Sequence, residues 1–490
     1  MRIWLQNIGI VRDSMLCVDG LTVITGKNNS GKTTVGKTLY ALIDAVSNLK
    51  VKAQNDRLQY TRQQISRVED TLDFLRYVYP KEALSNQIDN APVLKAFFGI
   101  DNFHYRGLLR EKLFSLELAQ MLLKELQELD TSKIEVNEQL FGRAQFMMAS
   151  DASENNVTPS AFINKKRDQA LAILNKLFED LETDPDLVNY ARESINQTLR
   201  MEFAGQIQPV RHSEVISHIE VWDQETRCFQ MTIADNVVVN ENKPVFNDSP
   251  YKKAYMIDDP MVLDDLTVHR PINLRKLMPD EDTLLDSGRI LLHNDKLRSR
   301  IRNLLTAVPS VFEKTVLDQS LATIKNKIDH VLDGSFEASS EGEYYVHNGV
   351  KLRVSNLATG SKMFSIIKIL LDRGELDDTT MLILDEPEAH LHPKWQNAFA
   401  EIIVLLVKEL HVNILLTTHS PNFMLALDAF MRKYDIIDKS NFYQTSEPDE
   451  EGFISYHCVN DEMELIYQDF LEYLSDVKVL RNIYLHGEEE

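Results

Sequence analysis

The chain has 490 residues, 43% hydrophobic and 26% charged, with a formal net charge of -22 at pH 7. This hydrophobic content excludes a disordered protein, and the acidic balance disfavours nucleic-acid binding over the general surface. The longest apolar runs are far shorter than a membrane span, and the N-terminus lacks the basic start and apolar block of a signal peptide. Cys17, Cys228 and Cys458 are widely spaced and follow no metal-ligand pattern, so a reduced, cytoplasmic location without a membrane partner is expected.

The first fifty residues predict two strands and a helix. Met1–Val11 and Gly20–Thr25 have the apolar content of strands, and the second of them ends in a glycine-rich turn. Apolar residues then recur at helical spacing through Lys32–Leu49. Residues 1–50 are therefore expected to contribute the N-terminal part of a sheet-containing domain.

Residues 51–207 predict a helical insertion. Leucine, isoleucine and valine recur there at helical spacing in several separate stretches. Pro92, Gly107 and Pro159 interrupt these stretches. The interruptions favour a compact helical bundle over a long coiled-coil arm.

The segments after residue 207 alternate in character. Residues 208–262 are rich in valine, isoleucine, threonine and aromatic residues and predict a β-rich segment. Residues 263–340 predict a second helical arm, and residues 341–435 predict a hairpin followed by alternating helices and strands. Residues 436–490 are expected to form a C-terminal helical segment that contacts partners.

Strands that alternate with helices at both ends of the chain predict the α/β fold class. Buried apolar runs at Met381–Leu384 and Asn413–Thr417 have the length of parallel-sheet strands, and Asn348-Gly349 is a favoured hairpin turn. The two ends of the chain are therefore expected to meet in one mixed sheet, into which the helical subdomains are inserted.

The turn after the second strand, Gly26–Thr33, has the sequence GKNNSGKT and matches the phosphate-loop pattern G-x-x-x-x-G-K-[ST]. Glycines let the backbone wrap phosphate groups, and N–H groups at the start of the following helix face the anion. Lys32 adds a positive charge for the β- and γ-phosphates, and the Thr33 hydroxyl suits a magnesium ion. The alternative is a glycine-rich turn without a ligand. The predicted nucleotide contacts are Gly26, Asn28, Asn29, Ser30, Gly31, Lys32, Thr33 and Thr34.

A second motif, LILDEPE, occupies Leu382–Glu388. Its buried apolar strand delivers Asp385 to the carboxyl end, where α/β sheets bind ligands. Asp385 is the predicted magnesium ligand, directly or through water, and Glu386 is the predicted general base that polarises the attacking water. The alternative is a strand capped by solvated acids.

A third motif, NILLTTHS, occupies Asn413–Ser420, where another apolar strand ends in polar groups. His419 is placed where a side chain could reach a γ-phosphate or the water that attacks it. A single histidine at a strand end is usually structural, but three strand-end motifs in one chain favour a catalytic switch role for His419.

Together these motifs resemble the ATPase heads of the SMC, RecF and ABC clan. HLHPKWQ and TTHSPNF, at His390–Gln396 and Thr417–Phe423, resemble most closely the OLD-like ATPases of bacterial anti-phage systems. The resemblance covers about 1–50 and 340–430. It implies ATP and Mg²⁺ as cofactors and a P-loop ATPase head. It also implies that ATP lies between two heads, so a homo-oligomer with at least a head-to-head dimer is expected.

In that clan a signature loop of one head caps the γ-phosphate bound to the other. Ser355–Lys362, with the sequence SNLATGSK, occupies the corresponding place but has Ala358 where a serine is usual. Thr359 or Ser361 would then supply the hydroxyl, and Gly360 with the helix N-terminus would offer N–H donors. The same residues are also typical of an ordinary N-capped helix start.

Two further places can be compared with the clan. Glu388–Pro393 occupies the place of a dimer-contacting loop, and for His390 and His392 this interface role is favoured over a metal site. A glutamine is expected to follow the strand Lys252–Ile257, but Asp258-Asp259 stands there. Either an aspartate serves magnesium at that point or the alignment differs.

No nuclease domain is expected in this chain. OLD-family nucleases append a TOPRIM domain, but only about sixty residues follow the last ATPase motif here, too few for a domain of that kind. A nuclease or toxin is therefore expected as a separate effector protein, as the resemblance to Septu and PARIS systems implies. The ATPase would regulate or scaffold that effector in anti-phage defence.

Three alternatives remain open. The chain could be a RecF-like repair ATPase that acts directly on DNA, although its strongest basic cluster, Lys296–Arg302, is more simply a solvated helix face. It could be the nucleotide-binding subunit of a transporter. It could also be a scaffold that binds ATP and hardly hydrolyses it, although Glu386 favours hydrolysis.

Overall fold

In the computed structural model the chain forms two compact units. Unit 1 comprises Met1–Leu49, Leu187–Leu285 and Arg289–Glu490, and unit 2 comprises Lys50–Asp186 with Asp286–Gly288. Among the residues that the structure describes, no helix is long and apolar enough to cross a membrane. The structure describes residues 1–72, 91, 93–94, 116–131, 158–184, 186–212, 214–239, 245–246, 249–267, 291–306, 321–339 and 342–468.

Strands occur only in unit 1 of the described chain. They are β1 (Arg2–Ile8), β2 (Val11–Cys17), β3 (Leu21–Thr25), β4 (Ser217–Asp223), β5 (Thr226–Ala234), β6 (Val237–Val239), β7 (Val245–Phe246), β8 (Lys253–Ile257), β9 (Ser335–Ser339), β10 (Gly342–His347), β11 (Val350–Arg353), β12 (Thr380–Asp385), β13 (Asn413–Thr418), β14 (Ser440–Thr445) and β15 (Tyr456–Cys458).

Helices occur in both units. They are α1 (Lys32–Val46), α2 (Leu49–Leu72), α3 (Leu116–Glu128), α4 (Pro159–Glu182), α5 (Leu187–Glu202), α6 (His293–Thr306), α7 (Ala322–Asp329), α8 (Thr359–Asp372), α9 (Pro393–Leu410) and α10 (Pro421–Tyr434), with short 3-10 turns at Pro260–Thr267, Val354–Asn356 and Ile437–Lys439.

Both ends of the chain meet in one six-stranded sheet, as the sequence predicts. Its strand order is β15-β14-β3-β13-β12-β8. β14, β3, β13, β12 and β8 are mutually parallel, and β15 is antiparallel to β14. The five parallel strands therefore end at the same edge of the sheet, where α/β folds bind their ligands.

Apolar side chains cover both faces of this sheet. Leu21 and Val23 of β3 belong to a core with α8, α9 and α10, whereas Ile24 belongs to a second core with α1 and β1. The strands are buried on both faces, which explains their uninterrupted apolar runs. A strand with one exposed face would alternate apolar and polar residues. It follows that α1 and α8 lie over opposite faces of the sheet.

A second sheet is antiparallel and has the order β2-β1-β4-β5-β6, with β7 paired to β5. The predicted first strand is present over Arg2–Ile8 but ends before Val11, because the chain turns after Ile8 and returns as β2. Gly9 in this turn has a φ of 57°, a conformation that favours glycine. β2 gave little strand signal because its sequence, VRDSMLC, mixes charged and polar residues into the apolar pattern.

The predicted hairpin around Asn348-Gly349 is confirmed. Both residues have a positive φ, at 47° and 79°, as a two-residue type I′ turn requires. The hairpin strands β10 and β11 are joined by β9 in a three-stranded antiparallel sheet. β9 lies at the end of residues 263–340, so the segment predicted as a helical arm contains a strand besides helices α6 and α7.

The prediction that the C-terminal segment from residue 436 is helical is also wrong over Ser440–Cys458. β14 lies parallel beside β3, and β15 returns antiparallel to β14. The β14 sequence, SNFYQT, is short and half polar, and its aromatic residues are buried against the sheet. The part of the segment beyond residue 468 lies outside the described residues.

Unit 2 is helical where it is described and contains a core from α2, α3 and α4. Its main segment ends at Asp186, so α5, which falls within the predicted insertion over residues 51–207, belongs to unit 1. There Ser194 Oγ donates to the Ala45 carbonyl of α1 at 3.0 Å. Pro159 begins α4 and does not interrupt a helix, whereas Pro92 and Gly107 lie outside the described residues.

Candidate functional site

The three predicted motifs lie together at the carboxyl edge of the parallel sheet. β3 ends in the phosphate loop, β12 ends at Asp385 and β13 ends before His419. In the sheet Thr25 is paired with Thr418, and Thr417 is paired with Asp385. Adjacent strands in register therefore deliver the three motifs to neighbouring positions.

The phosphate loop spans the turn from β3 to α1, and α1 begins at Lys32. Gly31, just before the helix, has a φ of 70°, and a Cβ at this position would lie 3.0 Å from Ile10. A Cβ at Gly26 would lie 2.0 Å from Thr445 Oγ1, so a side chain has no room there. Asn28 and Asn29 are exposed, whereas Ser30 Oγ is buried without a hydrogen-bond partner among the described residues.

Lys32 is 5% exposed and its ammonium group lies inside the loop. Nζ donates to the carbonyl of Lys27 at 2.7 Å and to that of Gly26 at 3.1 Å. It also lies 3.5 Å from Glu386 Oε1. A buried cation surrounded by backbone carbonyls and one carboxylate is suited to exchange these partners for phosphate oxygens, which carry more negative charge.

Asp385 receives hydrogen bonds from two threonines. Thr33 Oγ1 donates to Oδ2 at 2.7 Å, and Thr417 Oγ1 donates to Oδ1. Thr33 and Asp385 are the residues predicted to hold magnesium, and the structure brings their oxygen atoms into contact. Carboxylate and hydroxyl oxygens are the hard ligands that Mg²⁺ prefers. Together with the buried Ser30 hydroxyl, this donor set fits a magnesium–phosphate group.

Glu386 joins the phosphate loop to the end of β13. Its Oε1 lies 3.0 Å from His419 Nδ1 and 3.5 Å from Lys32 Nζ. Its φ is 48°, an uncommon left-handed conformation for a glutamate, and its N–H lies 3.1 Å from Thr417 Oγ1 and 3.2 Å from the Thr417 carbonyl. Uncommon backbone conformations of this kind cluster at functional sites.

Residues 1–424 match the family model of the AAA ATPase domain. The chain belongs to this family. The match spans the phosphate loop and both other strand-end motifs, and it confirms the expected P-loop ATPase fold.

Solved structures similar to this ATPase include SMC head domains. An SMC head bound to the C-winged helix domain of ScpA shares 11% identity at a TM-score of 0.37, covering 95% of this chain and 98% of that chain. The SMC head domain from Thermotoga maritima shares 10% identity at a TM-score of 0.34, covering 94% and 98%. An SMC head from Pyrococcus furiosus, bound to the C-terminal domain of ScpA, shares 9% identity at a TM-score of 0.30. The match covers 95% of this chain and 98% of that chain.

The signature candidates form the start of α8 in this ATPase. Thr359, Gly360 and Ser361 are its first three residues. A Cβ at Gly360 would lie 3.1 Å from the His390 carbonyl and 3.2 Å from the Trp395 ring, so α8 packs closely on that loop. Because α8 lies over the face opposite α1, these three residues are not gathered onto the chain's own phosphate loop.

One histidine of the HLHP segment takes part in ordinary helix capping. His392 Nδ1 accepts a hydrogen bond from the Lys394 N–H at 3.3 Å and caps α9. Within the described ranges, no group of three or more histidine, cysteine, aspartate or glutamate side chains could hold a metal ion.

Asp258 follows β8, where the clan resemblance implies a glutamine. One oxygen accepts from Asn294 Nδ2 at 2.9 Å, and the other lies 3.0 Å from His293 Nε2, at ion-pair distance but without hydrogen-bond alignment. His293 Nδ1 lies 2.6 Å from Glu202 Oε2. Asp258 is therefore engaged by α6, which argues against the alternative that it serves magnesium.

Sequence reasoning missed one acidic residue beside the site. Glu388 is 1% exposed, and its Oε1 accepts a hydrogen bond from Thr418 Oγ1 at 2.5 Å. Burial raises the pKa of this carboxyl group, and Oε2 has no partner among the described residues. Glu388 follows Asp385, Glu386 and Pro387, so its neighbours in the sequence gave no signal of burial. Its contact with Thr418, the residue before His419, could not be read from the sequence.

The second missed feature comes from the C-terminal strands. Tyr456 Oη donates to the Gly31 carbonyl at 2.6 Å, and Lys27 Nζ lies 2.5 Å from Glu447 Oε1. The predicted phosphate loop is therefore contacted from a segment that the sequence analysis assigned to partner binding.

Proposed function

We propose that the chain binds ATP with Mg²⁺ at this sheet edge and hydrolyses it to ADP and phosphate. The observation that carries the proposal is the convergence of Lys32, Asp385, Glu386 and His419 from three different strand ends. In the reaction a water oxygen attacks the γ-phosphorus, the bond to the β–γ bridging oxygen breaks, and the water loses a proton. Family membership in the AAA ATPase domain supports the same reaction.

Each residue has a separate role in this proposal. Lys32 leaves the carbonyls of Gly26 and Lys27 and binds the β- and γ-phosphates. Glu386 accepts the proton of the attacking water, and His419, in contact with Glu386, orients that carboxylate and the γ-phosphate. Thr33 and Asp385 would hold magnesium, which neutralises phosphate charge when it is bound.

ATP hydrolysis and binding by purified variants test this proposal. Lys32→Ala is expected to weaken ATP binding at least tenfold, because a buried phosphate-facing cation is lost. Glu386→Gln is expected to keep binding and lower kcat at least a hundredfold, because the general base is lost. Glu409→Gln makes the same chemical change at the exposed end of α9 and should have no effect. Unchanged hydrolysis in both site variants would refute the ATPase assignment.

We further propose that two copies assemble head to head around ATP. The position of Thr359–Ser361 over the face opposite α1 supports this, because a second copy could bring that helix start to the phosphate. Sedimentation of Glu386→Gln should show an ATP-dependent dimer that is lost when Thr359→Glu is added, since a carboxylate would repel the γ-phosphate. Val350→Glu adds a charge at an exposed residue of β11 and is the control. A monomer under all conditions contradicts the proposal.

The role of the ATPase in defence is proposed from the resemblance of HLHPKWQ and TTHSPNF to OLD-like ATPases. The separate effector would be a nuclease or toxin whose activity depends on nucleotide state. Phage plating on cells that express the ATPase with its neighbouring genes tests this. Protection that is equal with wild type and Lys32→Ala would contradict control by nucleotide.

The runner-up, a RecF-like ATPase acting on DNA, is less well supported by the basic cluster of α6. Lys296 pairs with Asp44 at 2.5 Å, and Arg300 pairs with Glu375 at 2.7 Å. Side chains already engaged by internal carboxylates are poorly placed to bind DNA phosphates. Salt-sensitive DNA binding by the isolated ATPase would favour this alternative.

A further inference from the structure

The C-terminal strands contact the phosphate loop from outside the family match, which ends at residue 424. β14 runs parallel beside β3, with Gln444 paired to Thr25, the last residue before the loop. β15 follows as the edge strand of the same sheet. The side chain of Tyr456, the first residue of β15, donates to the backbone of the loop.

Tyr456 is fixed at both of its polar ends. Its backbone N–H donates to Ser14 Oγ at 2.9 Å, and its phenol Oη donates to the Gly31 carbonyl at 2.6 Å. The residue is 6% exposed, and burial raises the pKa of the phenol, which keeps the O–H proton available for donation. The Gly31 carbonyl also accepts from the Thr34 N–H at 2.9 Å, as the first turn of α1 requires.

This contact fixes the orientation of a peptide unit of the phosphate loop. The Gly31 carbonyl and the Lys32 N–H belong to one planar trans peptide, so they point in opposite directions. Holding the carbonyl toward Tyr456 therefore directs the Lys32 N–H away from Tyr456. A hydrogen bond to the carbonyl also polarises the peptide and strengthens its N–H as a donor. Gly31 itself, with a φ of 70°, imposes little restraint of its own.

We propose that Tyr456 is a positioning residue for ATP, which holds the Gly31–Lys32 peptide so that its N–H donates to a phosphate oxygen. A residue of β14 acts on the opposite end of the loop, because Thr445 leaves no space for a side chain at Gly26. The inference rests on the proposed ATP site, and it makes Tyr456 part of that site.

The test compares two tyrosine-to-phenylalanine variants of the full chain. Tyr456→Phe removes the donor to Gly31. Tyr443→Phe is the matched control, since its phenol oxygen accepts from the Cys17 N–H at 2.7 Å, on β2. Both are buried tyrosines of the same sheet that bind a backbone group. For each variant, the Kd of Mg·ATP, kcat, KM and Tm are measured.

Tyr456→Phe is expected to raise the Kd and KM for ATP about threefold to tenfold, as loss of one hydrogen bond predicts. Its kcat at saturating ATP should stay within twofold of wild type. Tyr443→Phe should lower Tm and leave the Kd within twofold. Wild-type affinity in Tyr456→Phe would overturn the inference, and so would an equal change of Kd in both variants.

Lys32→Ala separates this inference from the ATP site on which it depends. If wild type binds ATP and Lys32→Ala does not, the ATP site stands whatever Tyr456→Phe shows. If wild type and Lys32→Ala are alike in failing to bind ATP, the proposed function fails and the positioning role fails with it.

Discussion

His419 Nδ1 and Lys32 Nζ contact the same carboxylate oxygen, Glu386 Oε1, at 3.0 and 3.5 Å. One acid therefore connects the end of β13 to the phosphate loop. Phosphate binding by Lys32 would withdraw one of these two partners and leave Glu386 with His419. The carboxylate would then depend on His419 for its orientation when water attacks.

His419→Ala tests that dependence. We expect kcat to fall about tenfold to hundredfold, a typical effect of losing a positioned acid–base partner. The Kd for ATP should change less than threefold, because Lys32 and the loop N–H groups remain. Single-turnover hydrolysis with excess enzyme measures the chemical step. His330→Ala, at the exposed end of α7, is the control. Equal rates for wild type and His419→Ala would assign His419 a structural role only.

Thr417→Val tests whether one hydroxyl group positions both Asp385 and Glu386 through hydrogen bonds. Thr417 Oγ1 donates to Asp385 Oδ1 and receives the Glu386 N–H at 3.1 Å. Valine keeps the shape but removes both contacts, so we expect kcat to fall about tenfold and the magnesium requirement to rise. Titration of ATPase activity with Mg²⁺ measures both effects.

Thr22→Val provides the matched control for Thr417→Val. Thr22 is a buried threonine of β3 whose Oγ1 donates to the Cys17 carbonyl at 3.3 Å, away from the motifs. The Thr22→Val variant should change the stability of the fold more than it changes the magnesium dependence of ATPase activity. The same magnesium dependence in both variants would contradict a specific role for Thr417.

The sequence predicts the parts of this site that lie within single strand–turn–helix segments. Lys32, Asp385 and His419 each follow an apolar strand, and parallel strands end at one edge. Sheet order could not be predicted, because short strands such as β14 carry little signal and pair with distant partners. The sequence therefore did not predict the contacts that depend on sheet order, from Tyr456 to Gly31 and from Thr418 to Glu388.

The bounds of the helical insertion could not be predicted from the sequence either, because they also depend on contacts between distant elements. α5 has a helical pattern like that of α2, so periodicity alone could not separate unit 1 from unit 2. Its membership in unit 1 depends on packing against α1. The buried pairing of Glu202 with His293 reflects that packing and joins residues ninety-one positions apart.

His293→Gln tests this buried pairing. Burial alone would lower the pKa of His293, but Asp258 and Glu202 outweigh it and raise the pKa to about 9. The charged histidine therefore stabilises the fold fully below its unfolded pKa near 6.5, and this contribution is lost as pH rises through about 9. We expect His293→Gln to lower the free energy of unfolding by about 3 kcal/mol at pH 6.5, because two carboxylates lose their cation.

Denaturant unfolding at several pH values measures the effect of His293→Gln. The difference from wild type should shrink between pH 7 and pH 10, since the wild-type histidine becomes neutral over that range. His330→Gln, at an exposed histidine, should show no such trend. A difference that does not change with pH would mean that His293 is neutral in the folded protein.

Glu388→Gln tests whether the buried acid beside His419 is neutral in the folded protein. Burial raises the pKa of Glu388 above its usual value of 4.5, so folding favours the protonated form. Its contribution to stability is greatest below pH 4.5 and is lost as pH rises through the higher folded pKa.

Glutamine keeps an acceptor for Thr418 and does not titrate. The Tm of Glu388→Gln minus that of wild type should therefore increase by a few degrees between pH 4.5 and 7.5. Glu409→Gln, an exposed change on α9, should show a constant difference. A constant difference for Glu388→Gln as well would show that Glu388 is ionised in both the folded and unfolded states.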